Sequence, residues 1–232
     1  MKLAVIPARG GSKRIPRKNI REFAGKPMIG YAINAALDSG VFDAVVVSTD
    51  DEEIASESRR LGAEVPFIRP AELADDHTPI VPVLQHAIRW LTAAGPPPSL
   101  VCCIQATAPL LKPDDLRRGH DAIANGDADF AIAVVRFSFP VERALRIKPD
   151  GRLSMIDEEA YATRSQDLEP AYHDAGQFYW GTTRAWLAGD NPYVGAVPII
   201  LPGWRVQDID EQEDWDRAEL LLQLLAARER NG

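Results

Sequence analysis

Ile6-Pro7-Ala8-Arg9-Gly10-Gly11-Ser12-Lys13-Arg14-Ile15-Pro16-Arg17-Lys18-Asn19 continues the apolar run that begins at Leu3, and reads as a strand feeding a cationic turn. Gly10 and Gly11 carry no Cβ, so the backbone there can take positive φ and bring the N–H groups of Ala8 to Ser12 close to an anion. Lys13, Arg14, Arg17 and Lys18 follow Arg9 within nine residues. An exposed basic turn would explain the charge, but not its interleaving with two glycines and two prolines directly after a strand. The loop has neither the GK[ST] spacing of a P-loop nor GxGxxG, which argues against an ATPase or a Rossmann dehydrogenase. A triphosphate, with about four negative charges, suits Arg9, Lys18 and the nearby cations, which could also stabilise a departing pyrophosphate. Asn19 could orient a phosphate or ribose oxygen.

The rest of the chain is consistent with such a loop on a parallel sheet. Apolar, β-branched runs recur at Leu3 to Ile6, Ala44 to Val47, Val65 to Ile68, Leu100 to Ile104 and Phe130 to Val135, each expected as a buried strand. Helical patterns lie between them at about Met28 to Asp38, Asp51 to Leu61, Ile80 to Ala94 and Asp114 to Asn125, giving an α/β fold. Sites in such sheets gather at the carboxyl ends of strands. Three loops meet there: the glycine-rich loop, Ser48-Thr49-Asp50 and Gln105-Ala106-Thr107-Ala108-Pro109. Regular structure is expected again at Gly176 to Gly181, at Val194 to Leu201, and in a helix from about Glu211 to Arg228 with a core stripe of Trp215, Ala218, Leu221, Leu222 and Leu225.

From about Phe137 to Pro170 the alternation breaks, with prolines, charges and a turn at Pro149-Asp150-Gly151. This reads as an insertion into a single domain spanning 1–232, able either to cover a site or to pair with another subunit. The 232 residues can bury a sizeable core. A formal charge of −8 makes the basic loop a local feature and argues against nucleic acid as partner. Adjacent Cys102 and Cys103 suit neither a disulfide nor a metal site and fit a reduced cytoplasm. The N-terminus lacks a signal-peptide pattern, and no stretch approaches the roughly 20 apolar residues of a membrane helix. A soluble, cytoplasmic protein without a membrane partner is expected.

Asp208-Ile209-Asp210 is the second cluster. In an extended segment the two carboxylates share a face, a plausible Mg²⁺ seat completed by phosphates and water. Glu211, Glu213 and Asp214 instead favour a helix N-terminus through its dipole. Asp50-Asp51 reads either as a metal site or as a helix N-cap, the commoner role of such an aspartate. Gln105 and Thr107 either bond a base or sugar or satisfy a buried loop. His173 opens the run Tyr172-His173-Asp174-Ala175-Gly176-Gln177-Phe178-Tyr179-Trp180, which is core or one wall of a sugar pocket, with Gln177 and Tyr179 as candidate contacts. His77, His86 and His120 lack metal-ligand spacing.

Together, the opening PARGGSKRIPRKN, the segment Arg69-Pro70-Ala71-Glu72-Leu73-Ala74-Asp75-Asp76-His77-Thr78, the QATAP loop and DIDEQEDW resemble the acylneuraminate cytidylyltransferases, in matching order and nearly end to end. The resemblance implies a three-layer α/β/α, Rossmann-like nucleotidyltransferase with a mostly parallel sheet. Such an enzyme transfers CMP from CTP to the anomeric C2 hydroxyl of a nonulosonic acid, a nine-carbon 2-keto sugar acid, releasing pyrophosphate and needing Mg²⁺. By position, Arg9, Lys18 and Asn19 match its nucleotide loop, Arg69 its cytosine-side arginine, Gln105 its sugar-contacting glutamine, and Asp208 and Asp210 its metal aspartates. Thr78 stands near its nucleotide-binding serine, and Arg164 near its carboxylate-binding arginine, one residue out of register. The family is dimeric, with an inserted segment crossing to the partner's site, which would account for 137–170.

The departures bear on the sugar. Sialic acid enzymes commonly carry arginine and asparagine where His173 and Ala175 stand. The segment YHDAGQFYWG is instead similar to the pseudaminic acid cytidylyltransferases, whose substrate has a less polar, methyl-terminated tail. N-acetylneuraminate and legionaminate are the alternatives. The 3-deoxy-manno-octulosonate enzymes carry Gln-Gly-Asp-Glu-Pro where this chain has QATAP, and are disfavoured. A CTP-binding regulatory module without turnover is the non-enzymatic alternative, opposed by the complete basic loop and aspartate pair.

Overall fold

The computed structural model describes residues 1–76 and 78–231; His77 lies outside the described residues. In chain order, β1 (Lys2–Pro7) leads through the glycine-rich loop to the hairpin β2 (Glu22–Phe23) and β3 (Lys26–Pro27), then to α1 (Met28–Ser39). The alternating part continues with β4 (Ala44–Ser48), α2 (Glu52–Arg60), α3 (Ile80–Ala94), β5 (Leu100–Ile104), α4 (Pro113–Ala124) and β6 (Phe130–Arg136). After these come the hairpin β7 (Leu145–Ile147) and β8 (Leu153–Met155), the long β9 (Tyr172–Thr182), α5 (Thr183–Ala188), β10 (Val197–Leu201) and α6 (Gln212–Asn231).

Six strands form one sheet in the order β10-β6-β9-β5-β1-β4. β1 pairs in parallel with both β4 and β5, and β6 with β10, whereas β9 is antiparallel to both of its neighbours. Alternation along β1 sorts its side chains onto two faces. Ala4 and Ile6 join a core built with Ile29 and Ile33 of α1, Ile54 of α2 and Leu116 of α4. Leu3 and Val5 join one built with Leu84 and Ile88 of α3 and Trp186 of α5. The result is a three-layer α/β/α fold with a mostly parallel sheet. No helix among the described residues is long and apolar enough to cross a membrane.

A third, smaller core joins Ile15 of the basic loop, Phe23 of β2, Met28 of α1, Ile209, and Trp215 and Ala218 of α6. Ile209 is fully buried, so the residue between the two aspartates anchors them to the same core that holds the end of the loop. Of the expected α6 stripe, Trp215, Ala218 and Leu225 are buried and Leu221 and Leu222 partly so.

Three expectations are corrected. Val65 to Ile68 is not a strand: Glu64 alone bridges to Val46, Pro66 has no N–H to donate, and Ile68 is exposed. β9 begins at Tyr172, four residues earlier than expected, and β10 begins at Val197 after an exposed turn. Two pairing steps along β6, Ile132 to Val134, match five along β9, Tyr179 to Asp174, so β9 carries a bulge in which Gly176 takes a left-handed φ of +60°. The 137–170 segment leaves the carboxyl end of β6 and returns beside it, because Arg136 pairs with Tyr172 and the Phe137 N–H donates to the Ala171 carbonyl.

Candidate active site

The loop after β1 is held by its own neighbours. The Ala8 N–H donates to the Ser48 carbonyl at 2.9 Å, and Asn19 Nδ2 donates to the Arg9 carbonyl at 2.9 Å. Neither Gly10 nor Gly11 is left-handed; that conformation falls at Arg17, with φ 57°. What requires glycine at position 10 is close approach, since a Cβ there would stand 2.7 Å from Asp51 Oδ2. The Gly10 N–H donates to Asp50 Oδ1 at 3.0 Å, so a carboxylate of the protein occupies part of the expected anion cradle. Asp51 caps α2, accepting from the Glu53 and Ile54 N–H groups. It also pairs with Arg17 at 2.6 Å, and that guanidinium is the main reason its carboxyl lies below the ordinary range.

A cavity of about 290 Å³ opens at the carboxyl edge of the sheet. Arg9, Ser12, Lys13, Arg14, Lys18 and Asn19 line it from the loop, Arg69, Asp76 and Thr78 from the segment before α3, Gln105 and Thr107 from the loop after β5, and Asp210 from the far side. Its cations are engaged within the protein. Arg9 donates to Asp76 at 2.5 Å, Lys13 also pairs with Asp76, and Arg14 pairs with Asp210 at 2.7 Å. Lys18 Nζ donates to the Ile209 carbonyl at 2.5 Å and faces Asp210 at 3.6 Å. Burial pushes its ammonium below the ordinary pKa, against the pull of Asp210 and Asp208. Arg69 is buried, its pKa likewise lowered by desolvation, with Asp50 at 3.5 Å as its acidic neighbour. Thr78 is turned inward on itself, its hydroxyl donating to Asp75 at 2.7 Å.

Asp208 and Asp210 flank the buried Ile209, as alternation in an extended segment requires. Burial, and next the neighbouring Asp210, hold the Asp208 carboxyl above its ordinary pKa. A divalent cation would relieve that cost, and two carboxylates with phosphate and water oxygens completing the shell suit Mg²⁺. The residues present therefore fit the ion. Among the described residues no cluster of three or more metal-ligating side chains occurs. Asp214 accepts from the Asp210 and Glu211 N–H groups, the terminus-stabilising role read for it from sequence.

The expected sugar contacts divide. Gln105 and Thr107 face the cavity; Arg164, His173, Gln177 and Tyr179 do not line it. Arg164 is exposed on the insertion and pairs with Asp167 at 2.7 Å. His173 Nδ1 bonds the Asp174 carbonyl at 2.8 Å, and its ring lies 4.6 Å from that of Phe137. Gln177 is corrected: it is 2% exposed, and its side-chain amide donates to the Arg205 carbonyl at 2.7 Å rather than facing the cavity. Tyr179 is buried and donates to Asp174 Oδ2 at 2.5 Å, with burial and Asp174 pushing its phenol pKa upward. Tyr193 donates to the same oxygen at 2.7 Å. Sequence reading missed Asp76, Asp174 and Tyr193. The acid pair in RPAELADDHT, facing a loop of five cations, was a usable signal for the first; nothing local signals the Asp174 pairing.

A cation-lined cavity at the carboxyl edge of a three-layer sheet suits a nucleotide, and the family match makes the protein a nucleotidyltransferase. The chain belongs to the cytidylyltransferase family, whose model matches residues 3–185. It is 44% identical over 223 residues to a pseudaminic acid cytidylyltransferase of Campylobacter jejuni, covering 96% of each chain. It is 35% identical to N-acylneuraminate cytidylyltransferase B of Danio rerio, over 93% of this chain and 50% of that one. A solved structure of CMP:2-keto-3-deoxy-manno-octonic acid synthetase complexed with CTP shares the fold, with a TM-score of 0.69 at 17% identity over 96% of this chain and 98% of that one.

Proposed function

We propose that the protein transfers CMP from CTP to the anomeric C2 hydroxyl of pseudaminic acid, with release of pyrophosphate. The observation that carries this is the convergence of Arg9, Lys18, Gln105 and Asp210, from three separate segments, on one cavity. The full-length similarity to a pseudaminic acid enzyme supports the choice of sugar. So do His173 and Ala175, where sialic acid enzymes commonly carry arginine and asparagine.

In this reading Arg9, Lys18 and the loop around Gly10, Gly11 and Ser12 take the triphosphate and neutralise the leaving pyrophosphate. Arg69 and Thr78 lie on the base side, with Ala8 and Asn19 shaping the loop between. Gln105 and Thr107 bind the sugar so that its hydroxyl attacks the α-phosphorus in line. Asp208 and Asp210 would hold Mg²⁺, which when bound supplies positive charge to the phosphates. His173 would bound the sugar side from β9, whereas Tyr179, buried in the core, would act there only by holding Asp174. Arg164 would serve the active site of a second subunit, reached by the insertion in a homodimer. A cytoplasmic location fits a reaction that draws on CTP.

The test is pyrophosphate release with CTP, Mg²⁺ and pseudaminate, legionaminate or N-acetylneuraminate side by side. Strong preference for pseudaminate is expected. Preference for N-acetylneuraminate would refute the substrate assignment.

A further inference from the structure

The segment 205–210, which carries both aspartates, is hydrogen-bonded to the central sheet by the side chain of Gln177 and packs on its core through Val206. Gln177 stands next to the left-handed Gly176 in the β9 bulge, and its Nε2 donates to the Arg205 carbonyl at 2.7 Å with both residues buried. Its main-chain carbonyl accepts the Gln105 N–H at 2.8 Å, fixing the start of the QATAP loop. One residue thereby joins the two opposite walls of the cleft. The same bulge brings Gly176 against Asp208: a Cβ built on the glycine would lie 3.9 Å from Asp208 Cβ. The Arg205 guanidinium is pinned separately, to Asp115 at the start of α4, at 2.6 and 2.9 Å.

Gln177 Oε1 is buried without a hydrogen-bond partner. An apolar side chain of similar volume would avoid that cost to folding, so the amide is explained by the bond it donates rather than by packing. We propose that Gln177 is a positioning residue. Its amide sets the placement of the 205–210 strap, and with it the presentation of Asp208 and Asp210 to the metal and triphosphate. The proposal rests on the reading of those aspartates as metal ligands. It separates the two bonds of Gln177: the side chain serves the metal wall, the main chain the sugar wall.

Gln177→Met keeps the volume and the main-chain bond but removes the donor. Binding of Mn²⁺ to the full-length protein with CTP and no sugar is measured by electron paramagnetic resonance, beside the KM for the sugar acid. Expected is Mn²⁺ binding weakened about tenfold, the scale on which residues supporting metal ligands act, with the sugar KM unchanged. Mn²⁺ binding within about twofold of wild type in a folded variant would overturn the proposal. So would a parallel loss of metal and sugar binding, which is the mark of a general packing defect. If Gln177→Met does not fold, Gln177→Asn, which keeps the amide but falls one methylene short of the carbonyl, is measured the same way. A wild type that binds Mn²⁺ and CTP yet releases no pyrophosphate with any nonulosonic acid refutes the proposed function instead; normal wild-type turnover with an unaffected variant refutes only the role of Gln177.

Discussion

Asp76 holds Arg9 and Lys13, two of the cations that a triphosphate would take. Those two cations, Lys13 first, keep its carboxyl below the ordinary pKa, so it is ionised wherever the enzyme works and competes for the same charges. Asp76→Asn should lower the KM for CTP a few-fold, as read from initial rates at low ionic strength; a raised KM would mean that Asp76 aligns the cations instead. At Asp208 the balance runs the other way. A carboxyl with a raised pKa costs the folded state stability, lost progressively as the pH rises from the ordinary carboxylate value to the higher folded value, and the full cost is present above that. Asp208→Ala should therefore abolish turnover while leaving the melting temperature unchanged or higher; near-normal activity would remove the metal assignment.

His86 gives a pH signature. Its ring packs on Phe67, and burial, then Arg69, push its pKa below the ordinary value. The unfolded chain takes up the proton near pH 6.5 while the folded one stays neutral, so stability present above about 6.5 is lost as the pH falls toward the folded pKa. His86→Leu should lose less melting temperature than wild type between about pH 7.5 and about pH 5. Equal losses would rule the histidine out. At this scale the cations were legible because an anion cradle needs them beside glycine. The acids that hold the loop were harder to place, since Asp50 reaches the Gly10 N–H and Asp76 reaches Arg9 across 40 and 67 positions of chain, and only the acid pair of RPAELADDHT gave a signal for Asp76.

Among the elements, β1, β4, β5 and β6 were readable because buried strands leave continuous β-branched runs. Val65 to Ile68 imitates such a run, and Pro66 is the residue that should have demoted it. The opening of β9 was hidden by the polar His173 and Asp174, and its reversed direction leaves no trace in composition. Where α4 crosses β9, Gly119 permits contact: a Cβ there would fall 2.6 Å from Trp180 Cδ1 and 2.8 Å from Phe178 Cε2, both in the core. Gly119→Ala should destabilise the fold by about 1–3 kcal/mol through overpacking. A urea midpoint equal to wild type would mean that the helix shifts freely.

For the molecule as a whole, the insertion is the least self-sufficient part. Phe139, Ile147 and Leu153 are 80%, 74% and 65% exposed, an apolar surface of the kind that marks an interaction site. In the proposed homodimer this surface is covered by the partner. Light scattering should find a dimer for wild type and a monomer for Ile147→Asp with Leu153→Asp; a variant that remains dimeric would place the interface elsewhere.

The reversed run of β9 has a consequence for how such enzymes diversify. The strands that carry the other loops of the cleft end at the rim, whereas β9 starts there, so in the proposed reaction Tyr172 to Asp174 would approach the sugar on a piece of chain that carries none of the proposed phosphate ligands. Under the proposed function, substitution in that short cassette would exchange one acceptor sugar for another while the donor half of the cleft stays as it is, and a lineage would change the sugar it activates without relearning how to hold CTP.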